Sequence, residues 1–312
     1  MTNPSYLPRV LFITPQVIFS HRNGLSIDEF FCIQEGKEID SFSFLLSDLY
    51  HLGADIHVVQ PEFKKMFSFQ PDSDGNSVCS SFPRANVHLA KDRIFYYAND
   101  IDVNCDWENI RISLAFQREV IQYFIPMIQP DLIHCYGWMT GLIPAASKKF
   151  DIPCLFTIHD LKTQKIPLWR IEDMGIDAAV FWDALFYDRM PACYEETRES
   201  NLADLLLSGI HSATHVDAAS PDALTEIIRL LNSNTKTPLG NLLKKKYANE
   251  CISSICSNTI STQAYVDIYE NLLQQSIVDT SSNEDIEENQ KISFPVIPPK
   301  FAFRTEQEIA IY

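Results

Sequence analysis

A single Rossmann-like α/β domain, with a doubly wound parallel sheet and a C-terminal helix and tail, is the fold this 312-residue sequence predicts. Three observations carry the prediction. Short continuous apolar runs, such as VLFIT (Val10–Thr14) and the core of IPCLFTIHD (Ile152–Asp160), have the pattern of strands buried on both faces. Those runs alternate with segments of helical apolar spacing, which points to crossover helices and a parallel sheet. Hydrophobic residues make up 46% of the chain and aromatic residues 12%, enough to bury a sizeable core.

The elements follow in order. VLFIT ends at Pro15 as a first buried strand. Helical spacing resumes at SFLLSDLYHL (Ser43–Leu52), with Gly53 as its C-cap signal, and ADIHVVQP (Ala54–Pro61) is the second strand. The first βα connection is therefore unusually long. PDSDGNSVCSSFPR (Pro71–Arg84) is turn-rich and reads as an exposed loop. NVHLA and RIFYYA read as short strands, and Ile110–Ile128 as a long amphipathic helix. PDLIHCYG (Pro130–Gly137) is a strand and turn, WMTGLIPAASKK the helix after it, and IPCLFTIHD the next strand. THVDAASP (Thr214–Pro221) is a further strand, with a helix over Pro221–Leu231. The organisation expected is a domain over 1–231, a linker over 232–260 opened by NSNTKTPLGN, a helix over 261–275 packing back on the domain, and an acidic, partly mobile tail over 276–312.

Charge narrows the function. The formal net charge is −16, and the one dense basic run, Lys244–Lys246, reads as a solvated helix end. Nucleic acid and anionic membrane are not the expected partners, since a nucleic-acid binder needs a basic face to neutralise phosphates. No window approaches the roughly 18 apolar residues of a spanning helix. The N-terminus has no apolar signal core, so a cytoplasmic location is expected. The eight cysteines form no C-x-x-C pair and read as buried, reduced thiols. The eight histidines form no metal-ligand cluster, and no Walker loop, H-E-x-x-H or G-x-S-x-G occurs. The D-x-D patterns at Asp72–Asp74 and Asp100–Asp102 are short enough to arise by chance in an acidic chain. Glycine is scarce, with nine in the chain, although glycine-rich loops are how an α/β fold brings backbone N–H groups to phosphates.

Three segments carry a family resemblance. PDLIHCYGWMTGLIP is similar to the D-x-x-H-x-x-D-W-x-T-x-L-x-P segment of bacterial glycogen synthases and plant starch synthases. IPCLFTIHDL resembles their P-x-x-F-T-I-H-N-L, and SGIHSATHVDAASPDALTEI their x-G-I-x-x-A-D-x-V-x-T-V-S-P segment. STQAYVDIYENLL (Ser261–Leu273) resembles the family's final helix, which returns onto the N-terminal domain. The resemblance implies one half of a GT-B glycosyltransferase, with most of the second Rossmann-like domain missing. The reaction it implies is metal-free, cofactor-free transfer of glucose from ADP-glucose to an α-1,4-glucan.

The resemblance also supplies the candidate site. An ungapped count from Gly53 sets QEGKEIDS (Gln34–Ser41) where the family carries K-x-G-G-L-[AG]-D-V. Gln34 then replaces the lysine, Gly36 is kept, Lys37 replaces the second glycine and Asp40 is kept. A competing alignment uses HRNGL (His21–Leu25) and also lacks the lysine. A Gly-Gly pair lets N–H groups close on a diphosphate without Cβ interference, so Lys37 and the flanking Glu35 and Glu38 describe an eroded phosphate loop, or an ordinary surface loop. At the sugar cleft, the resemblance implies His134 and Trp138 retained, Gly137 in place of the H-x-x-D-W aspartate, His159 retained and Asp160 in place of asparagine. Trp138 suits core packing equally well. Together these imply a synthase-like domain impaired on its own. The alternative is a non-catalytic glucan-binding or protein-interaction module, with a protein partner on the face left by the missing domain.

Overall fold

The computed structural model describes residues 8–16, 19–20, 29–32, 45–63, 81–98, 107–234, 236–256 and 262–283. Seven parallel strands form the central sheet: β1 (Arg9–Ile13), β2 (Asp55–Pro61), β3 (Val87–Ala90), β4 (Leu132–Tyr136), β5 (Cys154–Ile158), β6 (His215–Ala218) and β7 (Ile252–Cys256). Their spatial order is β3-β2-β1-β4-β5-β6-β7. The chain winds outward from β1 in one direction and then outward from β4 in the other, which makes the sheet doubly wound. The apolar runs are buried as their composition requires: Val10–Ile13 are 0% exposed, and every residue of β4 and β5 is buried.

Two helical layers cover the sheet. The first helix, α1, is described over residues 45–51 and follows β1. Helix α2 (Arg93–Tyr97) follows β3. Helix α3 (Trp107–Glu119) continues through a π-turn at Val120–Phe124 into a last α-turn at Ile125–Ile128. The π-turn sits just before Pro126, whose missing N–H removes one ordinary helical bond. Helices α4 (Ile143–Lys149), α5 (Leu168–Asp173), α6 (Tyr194–Glu199), α7 (Leu205–Ser212) and α8 (Pro221–Asn232) follow in turn. Right-handed crossovers place α1 on one face of the sheet and α3, α4, α7 and α8 on the other. Over β4, β5 and β6, the first face is covered by Tyr265–Leu272 of another helix, α10 (Thr262–Asn283). The Thr262 hydroxyl donates to Asp48 of α1 at 3.2 Å, which sets the two helices side by side.

The chain divides into two compact units, Met1–Ser276 and Ile277–Tyr312. The sheet and the α10 residues up to Ser276 belong to the first. Of the second, the described part is the end of α10, residues 277–283.

Four local expectations are corrected. RIFYYA (Arg93–Ala98) is not a strand. The Asp92 carboxylate caps α2 by accepting from Ile94 N at 2.8 Å, and only Phe95 is buried while Tyr96 and Tyr97 face outward. A one-sided apolar anchor with a good N-cap suits a helical turn better than a pleat, whatever the aromatic β-propensity. Within the linker expected over 232–260, residues 238–256 are regular structure. They hold helix α9 (Pro238–Ala248), with the Thr237 hydroxyl capping Gly240 N at 3.1 Å, and edge strand β7. Thr-Pro is a helix start rather than a loop signal when buried leucines follow, and Leu242 and Leu243 are those leucines. The last helix runs to Asn283 rather than ending near 275. Of the expected loop at 71–84, residues 71–80 lie outside the described residues, and Ser81–Pro83 is a short strand.

Candidate functional site

In a doubly wound sheet, ligands bind at the carboxyl ends of the strands, at the point where the winding reverses. Here that point lies between β1 and β4. Gly137–Trp138 follows β4, and His159–Asp160 follows β5. The structure thus brings four of the sequence-predicted residues to adjoining strand ends. Gln34, Gly36, Lys37 and Asp40 lie outside the described residues, as do His21–Leu25 and both D-x-D segments.

Gly137 has φ 76° and ψ 168°. That region is reserved almost entirely for glycine, because a Cβ there collides with the backbone. The turn it makes is held from below. The Thr140 hydroxyl donates to Gly137 O at 2.9 Å. From α3, the Ser113 hydroxyl donates to Met139 O at 3.0 Å, and the Gln117 side chain accepts from Leu142 N at 2.7 Å. Gly141 closes the turn against α7, where a Cβ would stand 2.0 Å from Leu205 O. Trp138 is 4% exposed and packs in the core.

His159 is different. Its side chain is 25% exposed, its ring lies 5.4 Å from the Tyr136 ring, and its Nδ1 is 3.6 Å from an Asp160 carboxylate oxygen. The other Asp160 oxygen accepts from Lys162 N at 3.0 Å. A partly exposed imidazole beside a carboxylate can donate to and accept from the hydroxyls of a sugar.

His134 lies at the third position of β4, two residues short of the strand end, and is 0% exposed. Its Nε2 is 2.6 Å from Thr157 Oγ1 and its Nδ1 is 2.8 Å from the Tyr269 hydroxyl. Thr157 donates to Asp217 at 2.5 Å, and the Tyr265 hydroxyl donates to the other Asp217 oxygen at 2.8 Å. Burial pushes the His134 imidazole down to about 3 and the Asp217 carboxyl up to about 6. Thr157, Asp217, Tyr265 and Tyr269 went unnoticed in the sequence. The signal was there, as polar residues on one side of otherwise apolar strands and a Tyr pair spaced one helical turn apart.

A second polar cluster sits at the opposite, amino end of the sheet. Arg9 Nε donates to Asp55 at 2.6 Å, Asp55 lies 3.1 Å from His57 Nε2, and His57 Nδ1 is 2.9 Å from His88 Nε2. Burial lowers both histidines, His88 to about 4. This cluster is remote from the strand ends where ligands bind and ties β1, β2 and β3 together. Among the described residues, no group of three or more His, Cys, Asp or Glu side chains could hold a metal ion. None of the described helices is long and apolar enough to cross a membrane.

Comparison with known proteins gives this arrangement its context. The chain is 51% identical over 83 residues to a glycogen synthase of Halalkalibacterium halodurans, covering 25% of this chain and 15% of the relative. It is 24% identical over 163 residues to a glycogen synthase of Exiguobacterium sibiricum, covering 47% of this chain and 31% of the relative. The aligned part thus spans less than a third of the length of these curated relatives. Among solved structures, the catalytic domain of starch synthase IV from Arabidopsis thaliana, bound to ADP and acarbose, aligns with a TM-score of 0.46 at 14% identity, over 80% of this chain and 51% of that one. The model of the starch synthase catalytic domain matches residues 43–244. That span runs from α1 to α9 and includes β4, β5 and β6 with the turns that carry Gly137 and His159. The chain belongs to the starch synthase catalytic domain family.

Proposed function

We propose that this chain is a synthase-like glycosyltransferase domain that handles an α-glucan at the carboxyl ends of β4 and β5 and is catalytically impaired on its own. The family reaction transfers glucose from ADP-glucose, and a cytoplasmic setting with reduced thiols goes with it. The observation that carries the reading is the Gly137 turn. Where the resemblance sets a carboxylate, this chain has a residue without a side chain, in a backbone conformation that other residues adopt only with strain. His159 and Asp160 remain beside it and suit hydroxyl recognition. Neutral sugar binding needs such hydrogen bonds, whereas transfer must also stabilise a departing diphosphate and an oxocarbenium-like sugar.

The test is calorimetric titration of the full chain with maltoheptaose and with ADP-glucose, followed by an assay of glucose incorporation. Glucan binding without incorporation supports the reading. Incorporation from ADP-glucose by the purified chain overturns the impairment, and silence towards maltoheptaose overturns glucan handling. In that second case, a protein-interaction module that reuses the fold becomes the better account.

A further inference from the structure

Helix α10 is fastened by polar as well as apolar groups. Tyr265, Ile268, Tyr269 and Leu272 are buried beneath it. Two of them reach into a chain of hydrogen bonds that crosses β4, β5 and β6. Proton counting gives that chain a direction. The Thr157 hydroxyl has one proton and donates it to Asp217, so His134 Nε2 must carry a proton and donate to Thr157. His134 Nδ1 is then bare and accepts from the Tyr269 hydroxyl. Every link points towards the Asp217 carboxylate.

Asp217 is 0% exposed. The groups that face it are the Thr157 hydroxyl from β5, the Tyr265 hydroxyl from α10 and its own backbone N–H. One step further lie His134 from β4 and Tyr269 from α10. No lysine or arginine among the described residues acts on it. A buried carboxylate that meets hydroxyls but no cation is compensated only in part. A neutral carboxyl has no such debt to the surroundings, and the chain can reverse to suit it. The Asp217 O–H then donates to Thr157, Thr157 donates to His134 Nε2, and His134 Nδ1–H donates to the Tyr269 oxygen, whose own O–H turns away from the imidazole. The reversal takes up one proton from solvent.

We propose that α10 is a latch whose hold on the sheet follows the charge of Asp217, tighter when the carboxyl is neutral, with the tautomer of His134 reporting which way the chain runs. The sign agrees with linkage. Burial raises the folded carboxyl to about 6, above the exposed aspartate range near ~3.9. Lifting α10 would open Asp217 to water and return it towards that range, and where this outweighs the Tyr265 hydrogen bond, which favours the carboxylate, the docked helix binds the proton more tightly than the undocked one. The contribution of Asp217 to docking is fully present below the exposed value and is lost as pH rises through about 6. This inference does not rest on glucan binding, and both outcomes of the binding titration leave it standing.

The experiment is hydrogen exchange of the α10 amides in the full chain at pH 5 and pH 8, corrected for intrinsic rates, with the Asp217→Asn variant alongside. Wild type is expected to protect α10 several-fold better at pH 5, and Asp217→Asn to be equally well protected at both. Equal wild-type protection at the two pH values, or a looser helix in Asp217→Asn, overturns the proposal. Nitrogen-15 NMR of labelled histidine needs no variant. The His134 proton should sit on Nε2 at pH 8 and on Nδ1 at pH 5, and one tautomer throughout would sink the latch.

Discussion

His134 and His159 come from two motifs of the same family and stand on neighbouring strands, yet the structure gives them opposite surroundings. His134 lies inside β4 and is closed in by α10, with Thr157 on one nitrogen and Tyr269 on the other. His159 lies one residue past β5, a quarter exposed, with Asp160 beside it. A displacement of a few residues along a strand separates a histidine that holds the fold from one that can meet a ligand. A strand interior is roofed by helices, whereas its carboxyl end opens into the loops where α/β folds bind. Motif membership therefore identifies the family here but does not say which histidine is available to substrate.

The sharpest way to break that comparison is to remove His134. His134→Ala leaves a cavity beside Phe12, whose ring lies 4.7 Å away, and leaves the Thr157 and Tyr269 hydroxyls short of a buried partner. Cavity and unpaired polar groups together should cost about 3 kcal/mol. Urea denaturation of the full chain measures it. A cost below about 1 kcal/mol, with binding lost instead, would move His134 from the fold into the site.

Gly137→Asp tests the ground between the two histidines. It restores the carboxylate implied by the resemblance, but into φ 76° and ψ 168°. The expected penalty is about 1–3 kcal/mol of stability from backbone strain, with no gain in glucose transfer. A Cβ at Gly137 would meet His159 Cβ at an ordinary 3.7 Å, so the penalty comes from the backbone and not from crowding. A stable Gly137→Asp chain that incorporates glucose would show that the turn can relax and that the lost carboxylate was the chief defect.

The parallel sheet was legible because its strands are apolar on both faces and bounded by turns, as Val10–Ile13 and Cys154–Ile158 show. The strand-end positions of Gly137 and His159 were legible for the same reason, since an apolar run that stops marks a strand end. What was not legible was tertiary. The spacing of Tyr265 and Tyr269 marks a helix face but does not say that the face meets Asp217. The polar opening of residues 232–237 hides that Leu242 and Leu243 have a core to enter. In RIFYYA, side-chain propensity favoured a strand, while the deciding contacts were the Asp92 cap and the burial of Phe95 alone.

The smallest expected change in stability belongs to His159→Ala, and it is the one that sharpens the contrast most. The side chain is partly exposed, its contact with Asp160 is 3.6 Å, and its ring lies tilted against that of Tyr136. Removing it should shift stability by no more than about 0.5 kcal/mol, as for most substitutions away from a core or cap. Maltoheptaose affinity should nonetheless fall about tenfold or more, since losing one or two hydrogen bonds to a sugar amounts to about 1.4 kcal/mol or above. Thermal denaturation and calorimetric titration on the same sample separate the two effects. If His159→Ala keeps both stability and affinity, the strand-end histidine is a bystander. Glucan recognition must then be sought among other residues at the carboxyl edge.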